Sequence, residues 1–203
     1  MRICPKNLTA IAEYAWNGRV VVVDTETTGG GADDEICQIA AAEYVSGALK
    51  RTMNVYLNPT CGMNPWAEAI HGLSLDFLAE HGIDPAEGMR RFLAFLGSDA
   101  LFVAHNVPFD KGMIRRECRK FGVVCAPTGI ETCDTVVLSR RLRPDLGSHR
   151  LCNLISDLGL DAVNSHDALD DVMACAGVFF RLLSDLKESL PAEIPMLKIP
   201  RSN

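Results

Sequence analysis

The stretch R-V-V-V-V-D-T-E-T-T-G, residues 19–29, decides how the rest of the chain is read. Val20 to Val23 are four β-branched residues in succession, the mark of a strand covered on both faces. The same strand runs straight on into Asp24, Thr25 and Glu26. Side chains alternate along a strand, so Asp24 and Glu26 share one face and Thr25 takes the other. Two carboxylates at the end of a buried strand are costly unless a cation or a hydrogen-bond donor meets them. T-T-G is also good turn material, which leaves a capping or turn role as the alternative for the pair.

Outward from this strand, Ile36–Val45 and Leu49–Leu57 read as two more strands, joined as a hairpin at Ser46-Gly47. Leu101–Ala104 and Ile130–Cys133 are short apolar strands. Helical spacing marks Trp66–Leu78, Ala86–Leu96, Asp134–Arg143 and His149–Leu158. A helix follows Leu101–Ala104, with Asn106 as its expected N-cap, Pro108 just inside and Gly122 just past the end. Ala168–Leu186 is the clearest helix, carrying Val172, Cys175, Phe179, Leu182 and Leu186 on one stripe. Asn7 is expected to cap a short helix reaching Trp16 and closed by Gly18. The expected organisation is an N-terminal helical extension over 1–18, one α/β domain over 19–188 and a tail over 189–203, where prolines cluster. Three strands followed by helices alternating with two more suit one mixed sheet flanked by helices.

The 203 residues, 48% hydrophobic and 23% charged, have the balance of a globular chain, which excludes disordered and fibrous classes. No apolar run is long enough for a membrane span. The N-terminal residues lack the pattern of a secretory signal, and the eight cysteines form no C-x-x-C pair. A reduced, cytoplasmic chain is the expectation. A net charge of −6 argues against a protein that coats nucleic acid by charge alone. It does not exclude an enzyme that meets a few phosphates through bound cations, since two divalent ions would bring −6 to −2.

Two more acids fall beside apolar segments. Asp110 lies in the first turn of the helix opened by H-N-V-P-F-D, and Asp171 lies in H-D-A-L-D-D, five positions after His166. Each has an ordinary explanation alone: Asp110 complements a helix dipole, and Asp171 sits on a solvated helix start for which Asp167 is the cap. Together with Asp24 and Glu26 they are four acids on separate elements able to converge at one strand end. At about 4 Å and an effective dielectric near 20, each like-charged pair repels by about 4 kcal/mol. Such a cluster needs cations or bound protons, and all-oxygen ligands select Mg²⁺ or Mn²⁺. Two such ions clamp the attacking and leaving oxygens of a phosphoryl displacement. His166 would then accept a proton from the attacking water, where alone it would read as a loop histidine before a helix.

D-T-E-T-T-G at 24–29, H-N-V-P-F-D at 105–110 and H-D-A-L-D-D at 166–171 resemble the three motifs of the DEDDh 3′→5′ exonucleases, the superfamily of the proofreading subunit of bacterial DNA polymerase III, ribonuclease T and oligoribonuclease. E-I-C-Q-I-A at 35–40, I-H-G-L at 70–73, C-D-T at 133–135 and H-R-L-C-N-L at 149–154 fall in the same order. The resemblance covers about residues 19 to 185 and is nearest to the proofreading subunit. It implies a ribonuclease H-like α/β fold, a five-stranded mixed sheet flanked by helices on both sides. It also implies two Mg²⁺ or Mn²⁺ ions held by Asp24, Glu26, Asp110 and Asp171, with His166 as general base. Thr27, by its backbone, and His71, His105, Asn106 and Phe109 are implied to surround the terminal nucleotide, although Phe109 reads equally well as a core residue.

The resemblance further implies a single-stranded nucleic acid 3′ end as the partner, DNA before RNA, and a homodimer or polymerase contact. An RNA-trimming enzyme of the same superfamily and a non-catalytic module that binds 3′ ends or a polymerase are the rivals. One departure stands out: the family places an apolar wedge after D-T-E-T-T-G, whereas Gly29 is followed by Gly30 and Gly31, which predicts a freer loop. Arg115, Arg116, Arg119 and Lys120 on one helix and Arg140, Arg141 and Arg143 on another read as solvated faces or as guides for a nucleic-acid backbone.

Overall fold

The computed structural model describes residues 8–125 and 130–189. Strand β1 (Arg19–Thr27) lies at the centre of a five-stranded sheet. The long strand β2 (Ile36–Val45) runs antiparallel to it, and β3 (Ala48–Tyr56) pairs antiparallel with β2 at the edge. On the other side come β4 (Leu101–Ala104) and β5 (Thr132–Asp134), both parallel, giving the order β3-β2-β1-β4-β5. Ser46 and Gly47 both take positive φ, 52° and 76°, the geometry of a two-residue turn whose twist matches the strands it joins.

The valine run is buried on both faces, as its composition predicts. Val20 and Val22 face a core built with helices α1 (Leu8–Asn17), α6 (Thr135–Leu142), α7 (Leu151–Asp157) and α8 (Ala168–Ser189). Val21 and Val23 face a second core made with α4 (Pro85–Leu96) and α5 (Val107–Lys120). The first helix packs on the sheet, with Ile11 and Ala15 in the same buried cluster as residues of β1 and β2. Asn7 and the tail from residue 190 lie outside the described residues. No described helix is long and apolar enough to cross a membrane.

Three expectations are corrected. Trp66–Leu78 is not one helix but two, α2 (Pro65–His71) and α3 (Leu75–His81). Gly72 turns left-handed at φ 74° and stops the first, and the Ser74 hydroxyl accepts from the Phe77 amide to open the second. Asn106 stands where a cap belongs, yet it is left-handed itself and makes no capping bond. The Asp134 carboxylate, arriving from β5, does that work, accepting from Val107 N at 3.1 Å while also accepting from Val136 N at 2.9 Å. One buried side chain thus caps two helices.

The third correction concerns the glycine loop. Asp34 accepts from the Gly31 amide and the Thr28 hydroxyl, and Arg116 on α5 donates to Gly31 O at 2.7 Å and Asp34 O at 3.3 Å. A Cβ on Gly29 would fall 2.5 Å from the Asp34 carboxylate, so that glycine lets the tie close. The loop is pinned at its base rather than freer.

Candidate active site

The chemistry gathers where β1 leaves the cover of its valines. Thr25 and Asp110 meet first: the Thr25 hydroxyl donates to Asp110 Oδ1 at 2.9 Å, and Asp110 is 3% exposed. The α5 helix brings Asp110 there because Asp134 anchors its first turn. From the other layer α8 brings Asp171, 6% exposed, whose Oδ1 accepts from Ser165 N at 3.1 Å and whose Oδ2 accepts from the Asn164 amide. Carboxylate oxygens of Glu26 and Asp171 and a ring nitrogen of His166 lie within 4.8 Å of one another.

Burial first, and then the neighbouring acids, set the protonation of the group. Burial, reinforced by Asp110, Glu26 and Asp171, pushes the Asp24 carboxyl well above its ordinary range. Burial and then Asp171 and Asp110 push Glu26 up to about 8. Asp110 and Asp171 also rise, chiefly through burial, with Thr25 and Asn164 pulling each back down. Four carboxyls that resist ionisation together are a site waiting for positive charge, and an all-oxygen donor set fits a hard divalent cation. His166 is the exposed member, at the mouth, with a left-handed backbone at φ 59°. A non-glycine residue held there is an expense that clusters at functional sites. Asn106, at φ 85°, is the other near this centre.

The structure also locates the residues the resemblance set around a terminal nucleotide. His71 Nδ1 accepts from Leu73 N at 3.0 Å, so its Nε2–H donates to Thr27 O at 3.2 Å. Both ring nitrogens are engaged, which ties α2 to β1 and leaves only the ring face free. His105 Nδ1 lies 2.8 Å from the Thr135 hydroxyl, and burial holds both His71 and His105 below the usual imidazole range. Phe109 is 38% exposed, so the core alternative for it fails.

Sequence reasoning gave no role to the residues that aim these side chains. Gln38 is fully buried on β2; its Oε1 accepts from Ala168 N at 3.2 Å and its Nε2 donates to Asp167 Oδ2 at 2.9 Å. It therefore seizes the first turn of α8, the turn that sets His166 and Asp171, while Asp167 caps that helix through Leu169 N. Asp134 plays the matching part for α5. The available signal was a polar side chain inside an apolar strand, I-C-Q-I-A and T-C-D.

The sheet order, with carboxylates converging at the end of its central strand, defines a ribonuclease H-like protein. A model of the exonuclease family RNase_T matches residues 21–179, and the chain belongs to that family. Among curated relatives, the PolC-type DNA polymerase III of Caldanaerobacter subterraneus is 29% identical over 182 residues, covering 89% of this chain and 13% of that protein. The 3′-5′ exonuclease DinG of Bacillus subtilis is 31% identical over 172 residues, covering 84% of this chain and 18% of that one. The chain thus spans less than a fifth of either relative. Among solved structures, the zinc-bound Escherichia coli exonuclease I complex with single-stranded DNA superposes with a TM-score of 0.73 at 23% identity, over 85% of this chain and 42% of that one. The nuclease domain of 3′hExo, a DEDDh family member bound to rAMP, gives 0.72 at 13% identity, over 84% of this chain and 94% of that one.

Proposed function

We propose that this chain is a divalent-metal-dependent 3′→5′ exonuclease that releases nucleoside monophosphates from single-stranded or frayed 3′ ends, with DNA preferred. The observation that carries the proposal is the convergence of Asp24, Glu26, Asp110 and Asp171, all with raised carboxyl pKa values, beside an exposed histidine. Those four carboxylates would hold two Mg²⁺ or Mn²⁺ ions. Such ions supply Lewis-acid polarisation of the phosphate and charge for the departing 3′ oxygen.

The chain's own residues supply the rest. His166 accepts a proton from water at a ring nitrogen as the water oxygen bonds to the terminal phosphorus. The bond from phosphorus to the 3′ oxygen breaks, freeing a nucleoside 5′-monophosphate and a shortened strand with a new 3′ hydroxyl. His166 is exposed, so it can return its proton to solvent. Thr27 offers backbone, and His71, His105, Asn106 and Phe109 line the place for the last nucleotide, His71 and Phe109 by ring packing that tolerates any base. DNA preference is supported by the PolC-type and DinG relatives and by the single-stranded DNA held by exonuclease I. The PolC-type relatives also support a polymerase as partner, with a homodimer as the alternative assembly. RNA trimming is the second reading, favoured by the likeness to 3′hExo with rAMP.

The test is hydrolysis of 5′-labelled single-stranded DNA and RNA with Mg²⁺ or Mn²⁺, beside Asp24→Ala. A ladder that shortens from the 3′ end, faster on DNA and absent in the variant, is expected. Equal turnover of both polymers would remove the DNA preference. No turnover with retained end binding would favour a non-catalytic binding module.

A further inference from the structure

The outer face of α5 has a feature that the metal site does not use. A groove of about 480 Å³ runs along the helix beside the glycine loop, lined by Gly30, Phe109, Gly112, Arg115 and Arg119 among others. Phe109, near its start, precedes the site carboxylate Asp110 in the first turn of α5, so the groove begins on the turn that carries one of the four acids.

Two facts about this face lack an internal explanation. The first is the division among its four basic residues. Arg116 is spent on the glycine loop and Lys120 on the buried Glu35 carboxylate. Arg115 and Arg119 make no ion pair among the described residues, and both border the groove. The second is Gly112. Glycine inside a helix lowers its stability relative to alanine. A Cβ there would meet nothing within 4 Å, so no neighbour requires its absence. Gly30 on the facing loop is equally bare. A helix that gives up a side chain where there is room for one leaves its groove floor open for something else.

We infer that this groove binds the single-stranded DNA on the 5′ side of the scissile phosphate, with backbone phosphates on Arg115 and Arg119 and the strand lying over Gly112. This rests on the reading that the strand's 3′ end enters the carboxylate cluster. From Phe109 to Arg119 is about 15 Å along the helix at 1.5 Å per residue, room for several nucleotides. The charge is complementary and local, in a chain whose net charge is −6. Guanidinium groups suit the task because their planar donors match phosphate oxygens.

The test separates the groove from the chemistry. Binding of fluorescent dT12 is followed by anisotropy across a salt series without divalent ions, for the wild type, for Arg115→Ala with Arg119→Ala, and for Gly112→Leu. Each single-strand phosphate contact contributes about 0.7 to the slope of log affinity against log salt, so the double variant should lose about 1.4. Gly112→Leu should weaken dT12 binding about tenfold with a melting temperature no lower than the wild type, because leucine favours helix where glycine does not. KM for dT12 should rise at least tenfold more than KM for the p-nitrophenyl ester of thymidine 5′-monophosphate, which has nothing to lay in the groove. An unchanged salt slope, or equal penalties on the two substrates, overturns the inference. A wild type that binds dT12 through these arginines yet hydrolyses neither substrate keeps the groove and overturns the exonuclease reading instead.

Discussion

The two layers that face the sheet deliver their acids in opposite ways. On the α5 side the acid is sealed: Asp110 is buried, bonded to Thr25, and carried by a helix whose first turn is locked to Asp134. On the α8 side Asp171 is buried too, but it is held from the connecting segment by Asn164 and Ser165, and beside it His166 is exposed and left-handed. Gln38 clamps that side from below. The difference teaches a division of labour. A buried, over-determined carboxylate suits the fixed part of a charge trap, and an exposed histidine suits a group that must exchange protons with solvent.

Breaking the sealed side should cost most. Asp24→Ala or Asp110→Ala should abolish both turnover and metal binding, read by Mn²⁺ titration calorimetry and the oligonucleotide ladder. Asp24→Asn should also raise the melting temperature of the metal-free protein at neutral pH, because it replaces a carboxyl whose ordinary ionisation is opposed by burial and by its acidic neighbours. On the open side, His166→Ala should lower kcat by about 10²–10⁴-fold while Mn²⁺ still binds. Full activity in that variant would remove the general-base assignment.

A smaller effect belongs to the clamps. Gln38→Ala should cost about 10–100-fold in activity, the usual range for groups that orient ligands. Its Mn²⁺ affinity should fall as well, since α8 loses its hold at both Asp167 and Ala168.

The pH dependence sharpens the same contrast. Carboxyls with raised folded pKa values bind more protons folded than unfolded, so folding is favoured below the ordinary carboxyl range and that advantage is lost as pH rises. For Glu26 the window runs from about 4.5, its ordinary value, to about 8. The metal-free melting temperature should therefore fall between those limits, and Mn²⁺ should flatten the fall, as scanning calorimetry would show. A rise with pH in metal-free buffer would contradict the charge trap. Smallest of all, Thr25→Val should cost about 1–3 kcal/mol of stability by removing the hydroxyl that donates to Asp110 Oδ1.

Much of this was legible in order of residues. Val20–Val23 announced a central strand, and period-2 alternation placed Asp24 and Glu26 together with Thr25 opposite, which is how Thr25 comes to meet Asp110 from the α5 layer. Such signals are local: a run of branched side chains, a repeat of two, a glycine at a turn. The cap on α5 was not legible, because Asn106 matches the local pattern while the true partner, Asp134, lies 28 residues away in the chain. The break after His71 went unread for a related reason. Apolar spacing continues through Gly72, and only the backbone at φ 74° ends the helix.

By itself, then, the sequence determined the central strand, the five-stranded α/β plan, and which acids and which histidine are candidates, because each is set by neighbours along the chain. Tertiary structure alone decided that Gln38 and Asp134 aim the two acid-bearing helices and that Arg116 and Lys120 are spent while Arg115 and Arg119 border an open groove. It decided, too, that the glycine loop is tied down at Asp34. Those outcomes depend on which buried donors and acceptors meet across the core. That pairing is settled by desolvation between residues far apart in sequence, and no periodicity records it.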